Sequence, residues 1–376
     1  MNIRKITRIM KPGVRDPRIS GIFQSSSKNF LNSSLSGSAR LNHNKPNERK
    51  LSKNTPLYKT KEAKKVRYYI VEKYVEYLKK LETILEKRFP GAMKVYKHFL
   101  EGVRLFVTDT KEFFRIVRLL NTPGKSFQDL SRQEMELYIQ MPRDMKKVAP
   151  ILLLTALPFG TAILPLTHMF PRHLLCSHFW TAQQKSEFQL FNLKHRLTHN
   201  RPLFRHLQSQ LDFLRNQRLY EQWREVIAMI GSGQQPPVKK ILECRDLFTS
   251  EPYHLLYISR NHVIHLCKLH EMTTGVFFRR VRLAERAYII KEMDRAIARE
   301  GGVEKLPLDA LRKCCYIRGL NPADVQTEEM IRYLNNWLEL SSNINRHCYS
   351  LLLHAPVLLA YNSPSNWRLI YQEKTN

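Results

Sequence analysis

The sequence has little glycine, few acidic residues and no cysteines at Cys-x-x-Cys spacing, and each shortage excludes a class of protein. Only 13 of its 376 residues are glycine, which argues against a turn-rich β architecture. The six cysteines contain no Cys-x-x-Cys pair, and the chain is too long for a disulfide-stapled miniprotein, so we interpret them as reduced and mostly buried. The 33 acidic residues stand against 62 lysines and arginines. The resulting charge of +29 attracts nucleic acid, anionic lipid or acidic protein, unless the chain is simply basic throughout.

Motifs for nucleotide binding and hydrolysis are also missing. The sequence contains no Gly-x-x-x-x-Gly-Lys-Ser/Thr, no Gly-x-Gly-x-x-Gly and no Gly-x-Ser-x-Gly, so it predicts a binding protein and not an enzyme. One possible metal-ligand set is His262, His265, Cys267 and His270. On a helix His262 and His265 are neighbours but Cys267 points away from them, so the four side chains cannot bind one ion together. The shorter set His173, Cys176 and His178 is judged in the same way. We therefore expect no metal and no cofactor.

Residues 1–60 have the composition of a mitochondrial presequence. They are rich in arginine, lysine and serine, and only Asp16 and Glu48 are acidic. No apolar run follows the first basic residues, which excludes a secretory signal. A disordered nucleic-acid-binding arm and a nuclear localisation patch remain as alternatives. The near-helical spacing of early apolar residues favours the presequence: Ile3, Ile6, Ile9 and Met10.

Residues 61–145 are predicted to form a helical region that precedes a membrane span. The apolar spacing over 71–85 fits a short coiled coil or an amphipathic helix packed on its own domain. Pro90-Gly91 should break this helix, and a second helix should end before Pro123-Gly124. Ser131 and Glu134 have the spacing of a capping box, which predicts the start of a third helix.

Residues 146–171 are predicted to form a single transmembrane helix. The stretch Val148–Phe170 contains no Asp, Glu, Lys or Arg, and at about 1.5 Å per residue it is long enough for a hydrocarbon core of about 30 Å. Both flanks are basic, so the positive-inside rule does not set the orientation. His168 is the one ionisable residue in the stretch, so this helix alone is not expected to transport ions.

Residues 172–376 are predicted to form a helical domain, which makes the chain all-α. Two apolar stripes at helical spacing cover 203–214 and 219–230, followed by a loop with Gly231-Ser232-Gly233 and Pro236-Pro237. Further helical patterns cover 254–271, 276–300, 307–317, 327–341 and 346–360.

Several blocks of this region resemble the LETM domain of mitochondrial inner-membrane proteins. They are FPRHLLCSHFW at Phe170–Trp180 with the following QQKSEF, then LPLDALRKCCYIRGLN from Leu306, MIRYLNNWLELS and SLLLHAPVLL, in that order. The similarity covers roughly residues 90–360. The larger members of the family carry a calcium-binding EF-hand, but no Asp-x-Asp/Asn-x-Asp/Asn-Gly loop occurs here, so calcium sensing is not supported.

The resemblance implies a single-pass inner-membrane protein whose LETM-type, ribosome-binding-like domain faces the matrix. The expected partners are the mitochondrial ribosome, through its proteins or ribosomal RNA, and inner-membrane lipids, with a homo-oligomer or other inner-membrane proteins as further candidates. The expected role is support of mitochondrial structure and membrane-protein biogenesis. Two alternatives stay open: a subunit or regulator of cation/proton homeostasis, and a lipid-binding organiser of the inner membrane.

The candidate contacts with ribosomal RNA or acidic lipid are basic residues of the C-terminal domain. On a helix over 276–300, three arginines should lie opposite an apolar stripe formed by Phe277, Val281, Ala284 and Tyr288. Guanidinium groups suit phosphate better than lysine amines do. The complete set is Arg279, Arg282, Arg286, Lys239, Lys240, Arg312, Lys313 and Arg318. A competing interpretation treats them as a solvated basic surface, and gives Arg318 the role of fixing the Arg-Gly-Leu turn.

Overall fold

The computed structural model describes residues 90–155, 167, 169–275 and 277–371, and these contain α-helices, 3₁₀ turns and loops but no strand. The predicted all-α class is confirmed. The presequence (1–60) and the 62–88 helix lie outside the described residues. The α-helices are α1 Pro90–Asn121, α2 Arg132–Thr155, α3 Pro171–Leu174, α4 Ala182–Leu197, α5 Asn200–Ser209, α6 Tyr220–Gly231, α7 Val238–Glu243, α8 Arg260–Leu269, α9 Arg279–Arg299, α10 Leu308–Ile317, α11 Thr327–Ser342, α12 Tyr349–Ala360 and α13 Pro364–Tyr371.

Contacts divide the chain into two compact units. One covers Pro12–Leu100, of which only the start of α1 is described, and the other includes Glu101–Asn376. Within the second unit α2, which the sequence assigned to a separate region before the membrane, packs against α9.

The helix boundaries follow the local sequence signals. Ser131 and Glu134 form the predicted capping box: the Ser131 amide donates to Glu134 Oε2 at 2.8 Å, and the Glu134 amide donates to Ser131 Oγ at 3.3 Å. The helix therefore begins at Arg132. Helix α1 ends at Asn121, and the following turn contains Gly124 with φ +83°, a left-handed conformation that glycine adopts without strain.

The centre of the domain is α12, in which all twelve residues are buried. The SLLLHAPVLL block can be apolar on every side because α5, α9 and α11 all pack against it. Helix α9 is the second central element and also contacts α2, α8 and α11. Trp337 on α11 was predicted to belong to the core and is 0% exposed.

The Arg-Gly-Leu turn between α10 and α11 is held by a buried ion pair. Arg318 is 0% exposed and donates from Nε and Nη2 to Asp294 Oδ1 at 3.1 and 2.5 Å. The other carboxylate oxygen accepts from Trp337 Nε1 at 3.1 Å and from Ser341 Oγ at 2.5 Å. Gly319 has φ +87°, and a Cβ added there would lie 2.8 Å from Cβ of Pro356 on α12. The turn thus needs an arginine that reaches Asp294 and a residue without a side chain.

The predicted membrane span is only partly described. No helix within the described ranges is long and apolar enough to cross a membrane. Residues 156–166 and 168 of the expected span lie outside those ranges. The described beginning of the span, 148–155, continues α2 as a helix.

Candidate nucleic-acid interface

Helix α9 does not present the predicted row of arginines opposite an apolar stripe. The helix begins at Arg279, so Phe277 precedes it and is 83% exposed. Arg279 donates from Nε to the Thr274 carbonyl at 2.5 Å, and Arg282 donates from Nη1 to the Thr273 carbonyl at 2.9 Å. The prediction of one arginine face opposite one apolar face was wrong, because neighbouring helices cover α9 on several sides. The guanidinium groups of Arg279 and Arg282 hold the loop before the helix.

Arg286 on the same helix points into a charged cluster inside the domain. Burial, followed by the neighbouring charge of Arg143, lowers the pKa of Arg286 to about 9. Arg143 forms an ion pair with Glu271. Arg196 donates to three backbone carbonyls: Leu269 at 2.8 Å, Tyr316 at 2.8 Å and Ile317 at 3.1 Å. We therefore assign these arginines to the joining of α2, α4, α9 and α10.

Arg318 is not a surface residue, so its assignment as an RNA contact was wrong. The competing interpretation is confirmed, because Arg318 Nη1 donates to the Cys314 carbonyl at 3.0 Å and its charge is paired with Asp294. An arginine beside glycine in a helix–helix turn is ambiguous in sequence. The carboxylate that decides its role lies on α9.

The remaining predicted residues divide into paired and unpaired groups. Lys240 forms an ion pair with Glu225, and Lys313 lies 2.9 Å from Glu136. Lys239 and Arg312 are exposed, and neither makes an ion pair with any residue that the structure describes. Their contact with RNA stays a prediction.

The structure brings together a basic and aromatic surface that the sequence did not indicate. We call it the arginine–aromatic strip, and its members come from α5, α13 and the residue after α12: Arg201, Arg205, Tyr361, Trp367, Arg368 and Tyr371. The three arginines are exposed, Trp367 is 42% exposed and Tyr371 is 51% exposed. Arg201 and Arg205 are four residues apart, so they lie on one face of α5.

Ring contacts connect the two ends of the strip. Tyr361 stacks on Phe204 of α5 with ring centroids 5.3 Å apart, and Trp367 meets Tyr361 at 6.3 Å and Tyr371 at 4.6 Å. Burial raises the pKa of Tyr361, while the nearby charges of Arg201 and Arg205 act in the opposite direction. The strip is therefore continuous from α5 to α13.

Helix α13 is fixed to the core by one buried asparagine. Asn366 accepts from the Asn321 amide at 2.7 Å and donates to the carbonyls of Gly319 at 3.0 Å and Ala360 at 2.8 Å. Because α13 has only eight residues, these bonds set its position more than its own helical stability does. The Arg-Gly-Leu-Asn turn thus also orients the aromatic rings.

The arginines of the strip have no acidic partner in the part of the chain that the structure describes. Arg201, Arg205 and Arg368 make no ion pair with the described residues. By contrast, Arg215 lies 2.7 Å from Asp212, and Arg224 lies 2.8 Å from Glu221. Unpaired guanidinium groups beside exposed rings match a single-stranded nucleic acid, whose phosphates bind arginine and whose bases stack on aromatic side chains.

The buried histidines His262, His270 and His354 do not form the four-residue set considered from sequence. His354 Nδ1 lies 2.6 Å from the Ser350 carbonyl and must donate to it, so His354 Nε2 accepts from His262 Nε2 at 2.6 Å. Burial lowers the pKa of His262 to about 2, of His270 to about 3 and of His354 to about 4. These side chains are neutral partners in the core, and Cys267 is 0% exposed.

Residues 130–358 match the family model described as "LETM1-like, RBD", which covers α2 through most of α12. The chain belongs to the LETM1-like family.

The similar curated proteins include three named "LETM1 domain-containing protein 1". The one from Xenopus tropicalis is 31% identical over 75% of this chain and 81% of its own length. The one from Homo sapiens is 26% identical over 80% of this chain and 84% of its own length. A "Mitochondrial proton/calcium exchanger protein" from Drosophila melanogaster is 28% identical over 71% of this chain but only 26% of its own length.

Proposed function

We propose that this chain is a mitochondrial inner-membrane protein, not an enzyme, that binds the mitochondrial ribosome through ribosomal RNA. The observation that carries the proposal is the arginine–aromatic strip, whose three guanidinium groups lie beside exposed rings and make no ion pair with the described residues. Arg201 and Arg205 lie within the matched region 130–358, which is of ribosome-binding-like type, and α13 follows it. A net charge of +29 adds long-range attraction to RNA.

The proposal includes an anchor at residues 146–171. The uncharged stretch from Val148 to Phe170 supports it, as do large apolar side chains exposed on either side of residues 156–166. Leu153 is 70% exposed and Met169 is 69% exposed. The anchor would hold matrix ribosomes at the membrane, where newly made membrane proteins insert.

The test is co-sedimentation of the full chain in detergent with purified mitochondrial ribosomes over a salt series. The variant R201E/R205E should bind at least about tenfold more weakly, since two arginine–phosphate contacts are lost and two repulsive charges are introduced. Replacing the two arginines by glutamine should make log Kd less steep in log salt by about one unit or more, at about 0.7 per phosphate for single strands.

The matched control is R215E/R224E, which changes two exposed arginines that already have acidic partners. It carries the same change in net charge, so equal weakening by both pairs would show that binding depends on total charge and would contradict the placement at the strip. Binding of the unaltered chain that is absent even at low salt would contradict the ribosome proposal itself.

A second candidate is a role in cation/proton exchange, which the Drosophila relative's name favours. It predicts proton-coupled calcium or potassium flux by the purified full chain in vesicles. We expect none, because the predicted span offers only His168 as an ionisable group. Flux above that of empty vesicles, and lost in H168A, would favour this candidate over ribosome binding.

A further inference from the structure

Three side chains with metal-binding atoms converge near the start of the LETM-type domain. They are Asp144 on α2, and Cys176 and His178 in the loop and 3₁₀ turn that follow α3. Cys176 Sγ lies 3.0 Å from His178 Nδ1, which lies 4.0 Å from Asp144 Oδ2. All three ligand atoms lie within 4.8 Å of one another. The sequence predicted no metal site at His173, Cys176 and His178, whereas the structure places Asp144 beside Cys176 and His178.

The partners of these side chains orient them toward a common point. His178 Nε2 lies 2.9 Å from Asp109 Oδ2 on α1, so it donates its hydrogen to that carboxylate and leaves Nδ1 as a lone-pair donor. Gln140 donates from Nε2 to Asp144 Oδ2 at 2.9 Å. A histidine ligand whose second nitrogen donates to a carboxylate is the usual arrangement around protein-bound zinc.

The donor atoms of the group face one another inside the domain. Cys176 Sγ and Asp144 Oδ2 lie on the Nδ1 side of the His178 ring, while Nε2 is directed to Asp109. The groups are enclosed: Cys176 is 1% exposed, and the side chains of His178 and Asp144 are 8% and 13% exposed. An enclosed set of one sulfur, one nitrogen and one oxygen donor can bind a metal ion.

We propose that Asp144, Cys176 and His178 form a zinc site. Cysteine sulfur, histidine nitrogen and aspartate oxygen are all zinc ligands in proteins, and tetrahedral bonds of about 2.0–2.3 Å place the ligand atoms about 3.3–3.6 Å apart. The observed 3.0 and 4.0 Å bracket that range. Water completes the fourth position, as in zinc sites with three protein ligands.

Such an ion has a structural consequence for the proposed anchor. Asp144 precedes residues 156–166 in the chain, and Cys176 and His178 follow them. A zinc ion bound to all three joins the segments before and after the predicted span. This site is independent of the arginine–aromatic strip.

The test uses the full chain in detergent, stripped with a chelator and titrated with cobalt(II) as a spectroscopic substitute for zinc. We expect one cobalt per chain with a thiolate-to-cobalt charge-transfer band, and loss of the band when one equivalent of zinc is added. C176A should remove the band, while C348A should keep it, since Cys348 is similarly buried at 2% exposure but belongs to no such group among the described residues. H178Q should weaken cobalt binding, while H173Q, at an exposed neighbouring histidine, should not.

A second-sphere variant keeps the test decisive if C176A does not fold. D109N leaves all three ligands in place and should weaken cobalt affinity about 10–100-fold with one ion still bound per chain. The proposal is overturned if the unaltered chain shows no charge-transfer band at an equimolar ion, or if C176A retains it.

Discussion

Arginines in two regions of this domain have opposite environments. Arg318 in the turn before α11 is fully buried and paired with Asp294, whereas Arg201 and Arg205 on α5 are exposed and have no acidic partner among the described residues. The first stabilises the fold, and the second pair is available to a ligand. An arginine in a basic chain is therefore informative about binding only when the location of the nearest carboxylate is known.

The largest difference between the two regions should appear in stability. D294A leaves the Arg318 charge buried without its partner and should lower the free energy of unfolding by about 3–5 kcal/mol. R205A, at an exposed site, should change it by no more than about 0.5 kcal/mol. Urea denaturation of the full chain in detergent, followed by tryptophan fluorescence, measures both. Equal losses of unfolding free energy in D294A and R205A would contradict the distinction between the two regions.

Gly319 tests whether the buried turn depends on packing as well as on charge. G319A combines backbone strain at positive φ with a Cβ contact to Pro356 of 2.8 Å, and should cost about 2–4 kcal/mol of unfolding free energy. Gly233 has the same φ of +87° with nothing within 4 Å of an added Cβ, so G233A should cost only about 1 kcal/mol. The same urea experiment compares them. If G319A lowers the free energy of unfolding no more than G233A does, α12 can shift at Pro356 to make room for the added Cβ.

The smallest effect per residue is the pH dependence of the buried histidines. The pKa values of His262, His270 and His354 in the folded state lie far below the unfolded value of about 6.5, so all three are neutral in both states above that pH. Below it the unfolded chain binds protons first, and each histidine should remove about 1.4 kcal/mol of stability by pH 5.5. The urea midpoint at pH 7.5, 6.5 and 5.5 measures the fall.

A variant of one histidine tests whether the fall in stability comes from the buried histidines. H354Q keeps a hydrogen-bonding side chain but cannot titrate, so it should reduce the loss between pH 6.5 and 5.5 by about 1 kcal/mol. An unchanged loss of stability would mean that groups other than the buried histidines, including exposed ones, cause the pH dependence.

Helix positions were predictable from sequence where periodicity and end signals agreed. The patterns at 307–317 and 327–341 correspond to α10 and α11 within one residue, and the capping box at Ser131 marks the start of α2. Helix α9 was predicted in extent but not in orientation. A pattern of apolar residues identifies one buried face, and α9 has several because helices on different sides pack against it.

The candidate sites were less predictable, because each combines distant parts of the chain. The strip joins Arg201 to Trp367, and the proposed zinc site joins Asp109 and Asp144 to Cys176 and His178. Local signals existed, such as the four-residue spacing of Arg201 and Arg205 and the Cys-x-His spacing at 176–178. Neither identifies its partners.

The sequence by itself determined the all-helical class, the LETM-type blocks, the excess of positive charge and the ends of helices such as α6, α10 and α11. These depend on composition and on contacts within a few residues, such as caps, glycine turns and apolar periodicity. Only the tertiary structure decided which arginines are buried, that Tyr361 connects α5 to Trp367 of α13, and that Asp144 approaches Cys176. Such features depend on the packing of helices far apart in the chain, and burial and charge pairing are properties of that packing.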